Sequence, residues 1–405
     1  MEQLYHKTIT KNTNKLTKYT NKKIITKKNM YSQQKGGKYI DKGGFGCVIT
    51  PALKCSNKDK NMDKMVSKII RDSDSDITNE LKISQILKKL DPTKKYYITF
   101  DKYCYINNIP DERKDLISVH YTNEDLSKYE IDDGQSNKDE NACDIELSLK
   151  PLNLIMEYGG YSLSTIIKTN LKIISTKARM HQMFIDNLEI YFKHLILGVV
   201  KMHFNRIINR DIKPKNIMMN WNKETNQVLI RYIDFGLSDM LTNEYCSDIE
   251  NIRNKGTPTY IAPELMISYV IRKYGYRSES YILKKITKEI DENVKYSLSR
   301  INEKQLLGNI NENINNLYQK IKTLFDENKI LPIYFGTEKN KFNGYLQKAD
   351  IYSLGLSIFL ALYTYSDINV RKQNDLYDLL IHMIAFDPDK RYNAVQCLSH
   401  RYFHK

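Results

Sequence analysis

No stretch of this chain is apolar for long enough to cross a bilayer. The longest apolar run, around Leu354–Leu362, is too short and reads as a buried helix. A secretory leader is not expected, because the N-terminus of the sequence is polar and lysine-rich with no apolar core. The six cysteines, at positions 47, 55, 104, 143, 246 and 397, show neither metal-ligand nor redox spacing, so they read as reduced thiols in an intracellular protein. No internal repeat is seen. Residues 1–35 are Lys, Asn and Thr with few aliphatics; they cannot bury enough surface to order themselves and are expected to form a basic disordered tail.

What is present is a chain of 405 residues, 41% hydrophobic, enough for a globular body of two or three structural units. A bias toward Lys, Asn, Ile and Tyr (30 Tyr against one Trp) points to an A+T-rich genome, as in a protist, an A+T-rich bacterium or a large DNA virus. The formal net charge of +15 has two readings. One is a solvated lysine surface with a basic tail; the other is attraction of that tail to an acidic partner such as nucleic acid, an anionic membrane or an acidic peptide.

Alternation through Tyr39-Ile40, Val48-Ile49 and Met65–Ile70 predicts short strands, and Leu152–Tyr158 a buried one. Ile77–Leu90 has helical periodicity, with Asp72–Asp76 before it. His181–Phe204, apolar at 184, 188, 192, 195, 196, 199 and 202, reads as one long amphipathic helix leading into Ile207-Ile208. Residues 111–148 are polar and largely acidic and look like a surface insertion. Residues 266–346 form a second insertion, with helical periodicity in Ile282–Ile290 and Ile310–Phe325. Asp350–Tyr363 and Leu376–Ala385 return to core-like helices.

Residues 209–216 read Asn-Arg-Asp-Ile-Lys-Pro-Lys-Asn, and eighteen residues beyond Asn216 comes Asp234-Phe235-Gly236. This sets an Asp, a Lys and an Asn on one short loop and a second Asp on a later turn. In-line phosphoryl transfer needs those groups: a carboxylate to take a hydroxyl proton, a cation for the moving phosphoryl and oxygen ligands for Mg²⁺. The pair resembles the catalytic loop and metal-binding turn of the eukaryotic-type protein kinase superfamily. Further segments carry the likeness. Asp41-Lys42-Gly43-Gly44-Phe45-Gly46-Cys47-Val48 is similar to the glycine-rich loop, Val66-Ser67-Lys68 to the third strand, and Ile155-Met156-Glu157-Tyr158-Gly159-Gly160 to the hinge. Gly256-Thr257-Pro258-Thr259-Tyr260-Ile261-Ala262-Pro263-Glu264 is similar to the substrate shelf.

The resemblance covers roughly residues 38–404 apart from the two insertions. It implies a bilobal α+β protein-kinase fold, with a small β-rich N-lobe bearing one regulatory helix and a larger, mainly helical C-lobe. The implied boundaries are 36–157 for the N-lobe, with the insertion at about 111–148, and 158–405 for the C-lobe, with the insertion at about 266–346. The implied activity is Ser/Thr protein kinase, using ATP and Mg²⁺ on Ser or Thr hydroxyls of a protein substrate. Asp211 aligns with the base and Lys213 with the residue that neutralises the γ-phosphate, while Asn216 and Asp234 align with the metal ligands. ATP would be held by Ile40, Gly43, Gly44, Phe45, Gly46, Val48, Val66, Lys68, Met156, Glu157, Tyr158, Gly159 and Met218, with Glu80 as the partner of Lys68. A lysine on a strand flanked by Met65, Val66, Ile69 and Ile70 needs an anion in any case. Gly256, Thr257 and Tyr260 would shape the substrate shelf. Structural roles fall to Glu264 with Arg391, and to Asp350 in holding the catalytic-loop backbone. The expected location is intracellular: cytoplasmic, or host cytoplasm or virion if the chain is viral.

The chain departs from the family in places. Asp41 replaces the first glycine of the loop, Asn209 the usual His, and Ser84 an apolar spine residue on the regulatory helix. These keep an alternative open, a catalytically weak nucleotide-binding pseudokinase scaffold. Arg253 stands where related kinases carry an activating phosphate, so Asp248 and Glu250 are the expected partners of Arg210.

Overall fold

The computed structural model describes residues 38–43, 46–56, 58–70, 75–107, 117–120, 143–146, 151–169, 175–222, 224–241, 256–274, 278–298, 316–317, 319–320, 322–323, 339–365 and 374–404. The expected basic tail, most of 111–148 and much of 266–346 lie outside these residues, as do Gly44, Phe45, Asp248 and Glu250. The architecture is α+β, and the chain divides into two compact units.

The first unit holds residues up to Arg71, Tyr103–Ile155 and Trp221–Val228. Strands β1 (Lys38–Gly43) and β2 (Gly46–Thr50) form an antiparallel hairpin that closes with Gly43 opposite Gly46. Gly46 has φ +150°, and a Cβ there would fall 2.0 Å from the Ile69 carbonyl oxygen; the close packing of the hairpin on the next strand requires glycine. β3 (Met65–Ile70) pairs antiparallel with β2 and sets Val48 opposite Lys68. Helix α1 (Ser75–Leu90) follows β3 and clusters with the second unit. β4 (Lys102–Tyr105) comes next, then β5 (Ile117–His120) and β6 (Cys143–Glu146), a parallel pair inside the polar segment, and β7 (Leu152–Glu157). The main sheet has the order β1-β2-β3-β7-β4. Its buried side chains, among them Ile49, Ile69 and Leu154, come from the β-branched and aliphatic positions that gave the strand pattern.

Contrary to the expectation from sequence, the cysteines are not all reduced thiols. Cys55, in the loop after β2, and Cys104, on β4, form a disulfide with Cα atoms 5.7 Å apart, and Cys47 is disulfide-bonded as well. Spacing rules look for cysteines close in sequence, whereas this bond closes a separation of 49 residues across the sheet. The inference of an intracellular compartment from reduced thiols therefore loses its basis. Cys397 is a free thiol, buried, with its pKa pushed up by desolvation.

The second unit holds Asp72–Lys102, Met156–Asn220 and Leu229–Lys405. After β8 (Tyr161–Ser162), Ser162 caps the short helix α2 (Leu163–Ile167) by accepting the Thr165 N–H. The single helix expected over 181–204 is two, α3 (Thr176–Asp186) and α4 (Leu188–Phe204). Asn187 breaks it: its backbone leaves the helical region (φ −118°, ψ 26°), and its side chain donates to the Met183 carbonyl. The apolar stripe runs through the break because Phe184 and Leu188 both stay buried. Helix α4 then delivers the chain to β9 (Ile207–Ile208), both residues fully buried.

Strands β10 (Ile217–Asn222) and β11 (Gln227–Tyr232) form a small sheet in the order β11-β10-β8, and β12 (Asp239–Met240) pairs antiparallel with β9. Further along the unit come helices α5 (Pro263–Tyr274), α6 (Glu279–Leu298), α7 (Lys339–Tyr365), α8 (Asn374–Met383) and α9 (Ala394–Leu398). Ile267, Val270 and Ile271 on α5 are buried, so the core continues beyond residue 266. Within α7, Leu354, Ile358, Phe359 and Leu362 are buried. Among the described residues, no helix is long and apolar enough to cross a membrane.

Candidate active site

Buried β9 fixes the start of the 209–216 loop, and Asp350 on α7 fixes its backbone. The Asp350 carboxylate accepts the Asn209 and Arg210 N–H groups, each at 2.8 Å, and pairs with His203 Nε2 at 3.0 Å. This clamp holds Arg210 at φ +67°, a conformation costly for a side-chain-bearing residue. Pro214 then starts a short 3-10 turn that ends at Asn216.

Four side chains meet on this loop. Asp211 Oδ1 accepts from Thr257 Oγ1 at 2.8 Å; its Oδ2 accepts from Lys213 Nζ at 2.7 Å and Asn216 Nδ2 at 2.9 Å. Lys213 Nζ also donates to Thr257 Oγ1 at 2.6 Å. Asp211 is buried, so donors hold both of its oxygens away from bulk water. Gly256, beside Thr257, has φ +133°, and a Cβ there would stand 2.9 Å from the Arg210 carbonyl oxygen. The Asn209 side chain turns back on the loop and accepts the Asp211 N–H at 3.0 Å; Ser84 is buried but does not hydrogen-bond to it.

Asp234 follows β11 with φ +62° and is half-buried. Phe235 is buried and meets Tyr97 edge-on at 5.9 Å. Glu80 on α1 is buried beside this turn, its Oε2 3.2 Å from where a Gly236 Cβ would stand. Arg210 Nη1 donates to Asp239 Oδ2 at 3.0 Å.

The hinge-like residues Met156, Glu157, Tyr158 and Gly159 follow the buried part of β7. A Cβ on Gly159 would stand 3.1 Å from the Met218 side chain, so Met218 packs directly against this backbone. Glu157 pairs with Arg231 on β11 at 2.5 Å and with Lys94 at 3.7 Å. In the first unit, Lys68 and Val48 are half-buried, Val66 is buried and Ile40 is 39% exposed.

Glu264 and Arg391 form a bidentate pair, 2.5 and 2.9 Å, with both side chains 0% exposed. Arg391 also donates to the Ala385 and Lys348 carbonyls and lies over the Tyr352 ring. Tyr260 is tied to α7, its carbonyl accepting from Ser353 Oγ at 2.8 Å. Burial, with Arg391 nearby, pulls the Lys348 pKa down. Away from the loop, burial lowers the pKa of His194 to about 4; its Nε2 donates to the Lys95 carbonyl at 3.0 Å.

The sequence reading missed Asp239, Asn79 and Arg231. Each is an ordinary polar residue in sequence, and only folding brings its partner within reach.

A family model described as the protein kinase domain matches residues 142–403, well over half of the chain. The chain belongs to the protein kinase family. Individual relatives match over shorter stretches. The DNA damage response protein kinase DUN1 of Saccharomyces cerevisiae is 32% identical over 113 residues, covering 23% of this chain and 19% of that protein. The serine/threonine-protein kinase Nek6 of Oryza sativa subsp. japonica is 36% identical over 93 residues, 23% of this chain and 15% of that one. The serine/threonine-protein kinase nekl-2 of Caenorhabditis elegans is 30% identical over 135 residues, 33% of this chain and 34% of that one. The chain thus spans about a third or less of the length of these relatives.

Proposed function

We propose that the protein is a Ser/Thr protein kinase that transfers the γ-phosphate of ATP to protein hydroxyls. The observation that carries this reading is the closed cluster of Asp211, Lys213, Asn216 and Thr257. Three donors on the Asp211 carboxylate fix where a proton can be received. The acceptor hydroxyl gives its proton to Asp211 while its oxygen forms a bond to the γ-phosphorus. The bond from that phosphorus to the bridging oxygen breaks, and ADP leaves with the electron pair. Lys213 neutralises charge on the moving phosphoryl group, and Thr257 holds both residues in register.

The donor set around Asn216 and Asp234 fits Mg²⁺. Asn216 commits its Nδ2 to Asp211, which leaves its carboxamide oxygen to face a cation, and Asp234 adds a carboxylate. When bound, the ion supplies positive charge to the nucleotide phosphates. Gly43, Gly44, Phe45, Gly46, Val48, Val66, Lys68 and the Met156–Gly159 backbone complete the proposed nucleotide contacts, with Ile40 and Met218 against the base and Glu80 as the partner of Lys68. A basic arm over residues 1–35 that attracts an acidic partner belongs to the same proposal. So does a location inside the cell or in a virion, in a compartment where disulfides persist.

The test is transfer of labelled γ-phosphate to a protein or peptide substrate. Asp211→Ala should lose about 10³-fold or more in kcat with its melting transition retained. Equal activity in mutant and wild type would remove Asp211 from the chemistry. Absence of transfer in both, with ATP binding retained, would favour the pseudokinase scaffold that Asp41, Ser84 and Asn209 suggest.

A further inference from the structure

Arg210 precedes the proposed base, and its side chain is only 1% exposed. A guanidinium that far from water needs an anion. Asp239 supplies one from five residues beyond Asp234. Asp239 Oδ1 also accepts from Asn79 Nδ2 at 3.2 Å, and Asn79 donates to the Ser238 carbonyl at 2.5 Å. Ser238 Oγ in turn donates to the Asn209 carbonyl at 3.2 Å. Opposite Asp239 in the β12–β9 pair stands Ile208, the residue that opens the catalytic loop. Asn79 is the neighbour of Glu80 on α1. One carboxylate therefore joins three pieces: the loop that carries Asp211, the strand after the Asp234 turn, and the helix that carries Glu80.

We infer that Asp239 is a positioning residue whose carboxylate does from within the chain what an added phosphate would do from the 242–255 segment. It neutralises Arg210 and locks the catalytic loop, β12 and α1 into one arrangement. The inference rests on the protein kinase reading above. Hydroxyl groups do occur in that segment, at Thr242, Tyr245 and Ser247. A phosphate on any of them would meet an arginine already paired with a buried carboxylate. The geometry assigns Asp239 to Arg210; Asp248 and Glu250, the partners expected from sequence, lie outside the described residues. Activity should accordingly need no phosphate on the chain.

The experiment compares wild type, Asp239→Asn, Asp239→Ala, Asp239→Glu and Asp211→Ala by γ-phosphate transfer. Phosphatase-treated wild type, shown to be phosphate-free by intact mass, should transfer at an undiminished rate. Asp239→Asn and Asp239→Ala should lose about 10- to 100-fold in kcat, as expected when a catalytic loop is misplaced by a fraction of a bond length or more. Asp239→Glu should recover part of the loss. Formate should restore Asp239→Ala by occupying the vacated carboxylate position, and should not stimulate wild type. In nucleotide-free Asp239→Ala, amide exchange across residues 75–90 and 209–211 should quicken. If Asp239→Ala does not fold, the isosteric Asp239→Asn carries the test.

Full kcat in Asp239→Asn overturns the inference. A loss that neither Glu nor formate restores also overturns it, since the residue would then matter only for packing. Wild type that is inert until phosphate enters the 238–255 segment overturns it as well. If Asp211→Ala is dead and Asp239→Asn fully active, only this inference falls. If wild type transfers no phosphate in any state, the kinase reading fails and this inference falls with it.

Discussion

In the first unit the loop after β2 is tied to β4 by the Cys55–Cys104 disulfide, and Cys47 on β2 is cross-linked too. In the second unit the described cysteine, Cys397, is a free buried thiol, and buried charges make the ties: Glu264 with Arg391, Asp350 with the loop backbone, Asp239 with Arg210. Covalent ties answer to reductant and ignore pH and salt. Charge ties answer to protons and to the removal of one partner. The two units should therefore fail under different conditions. Two signals separate them, because the one tryptophan, Trp221, lies in the first unit and the long helices lie in the second.

The largest stability effect should come from breaking the most deeply buried pair. Glu264→Gln leaves the Arg391 charge uncompensated at zero exposure, which should cost about 3–5 kcal/mol. The helical circular-dichroism transition should move to lower denaturant; an unmoved transition would show that the pair contributes nothing. Next, Cys55→Ser, or reduction of the wild type, should cost roughly 2–4 kcal/mol, because the bond closes a long loop of the unfolded chain. This loss should appear first in Trp221 fluorescence. If reductant changes neither signal, the sheet does not depend on its cross-link.

Acid should act on the second unit. The folded-state pKa of His194 is about 4, below its ordinary value of 6.5, so the unfolded chain binds more protons between those two pH values. Stability is complete above pH 6.5 and falls as pH drops toward 4, with roughly 2 kcal/mol gone at pH 5. His194→Gln, which keeps a donor for the Lys95 carbonyl, should flatten that acid limb. A pH profile of unfolding identical to wild type would assign the acid sensitivity elsewhere. The smallest effect is expected from deleting residues 1–35, a basic segment with few aliphatics. Melting and turnover on a neutral peptide should stay unchanged, while binding to acidic polymers weakens and loses salt dependence. A large drop in melting temperature would show that this segment packs on the body.

How much of this was legible in sequence depends on how locally each feature is encoded. The 209–216 loop could be read because its chemistry packs several functional groups into eight residues, and folding had only to add Thr257. Strands β1, β2, β3 and β7 and most of the described helices followed from periodicity; the short strands did not. The break at Asn187 did not, because Phe184 and Leu188 keep the apolar stripe in phase on both sides of it. Glu264 and Arg391 lie 127 residues apart, and only family resemblance paired them. Asn79 and Asp239, 160 apart, had no motif to announce them among many similar polar residues. The disulfide stayed hidden for the same reason: a bond across a sheet leaves no short spacing to find.

The Cys55–Cys104 bond also makes the history of a sample part of its chemistry. Chains made in a reducing cytosol would carry two thiols there, and chains matured in an oxidising compartment would be lighter by two hydrogens for this bond and by two more for the bond of Cys47. A preparation could thus hold several covalent species with one sequence, distinguishable by mass before any assay begins.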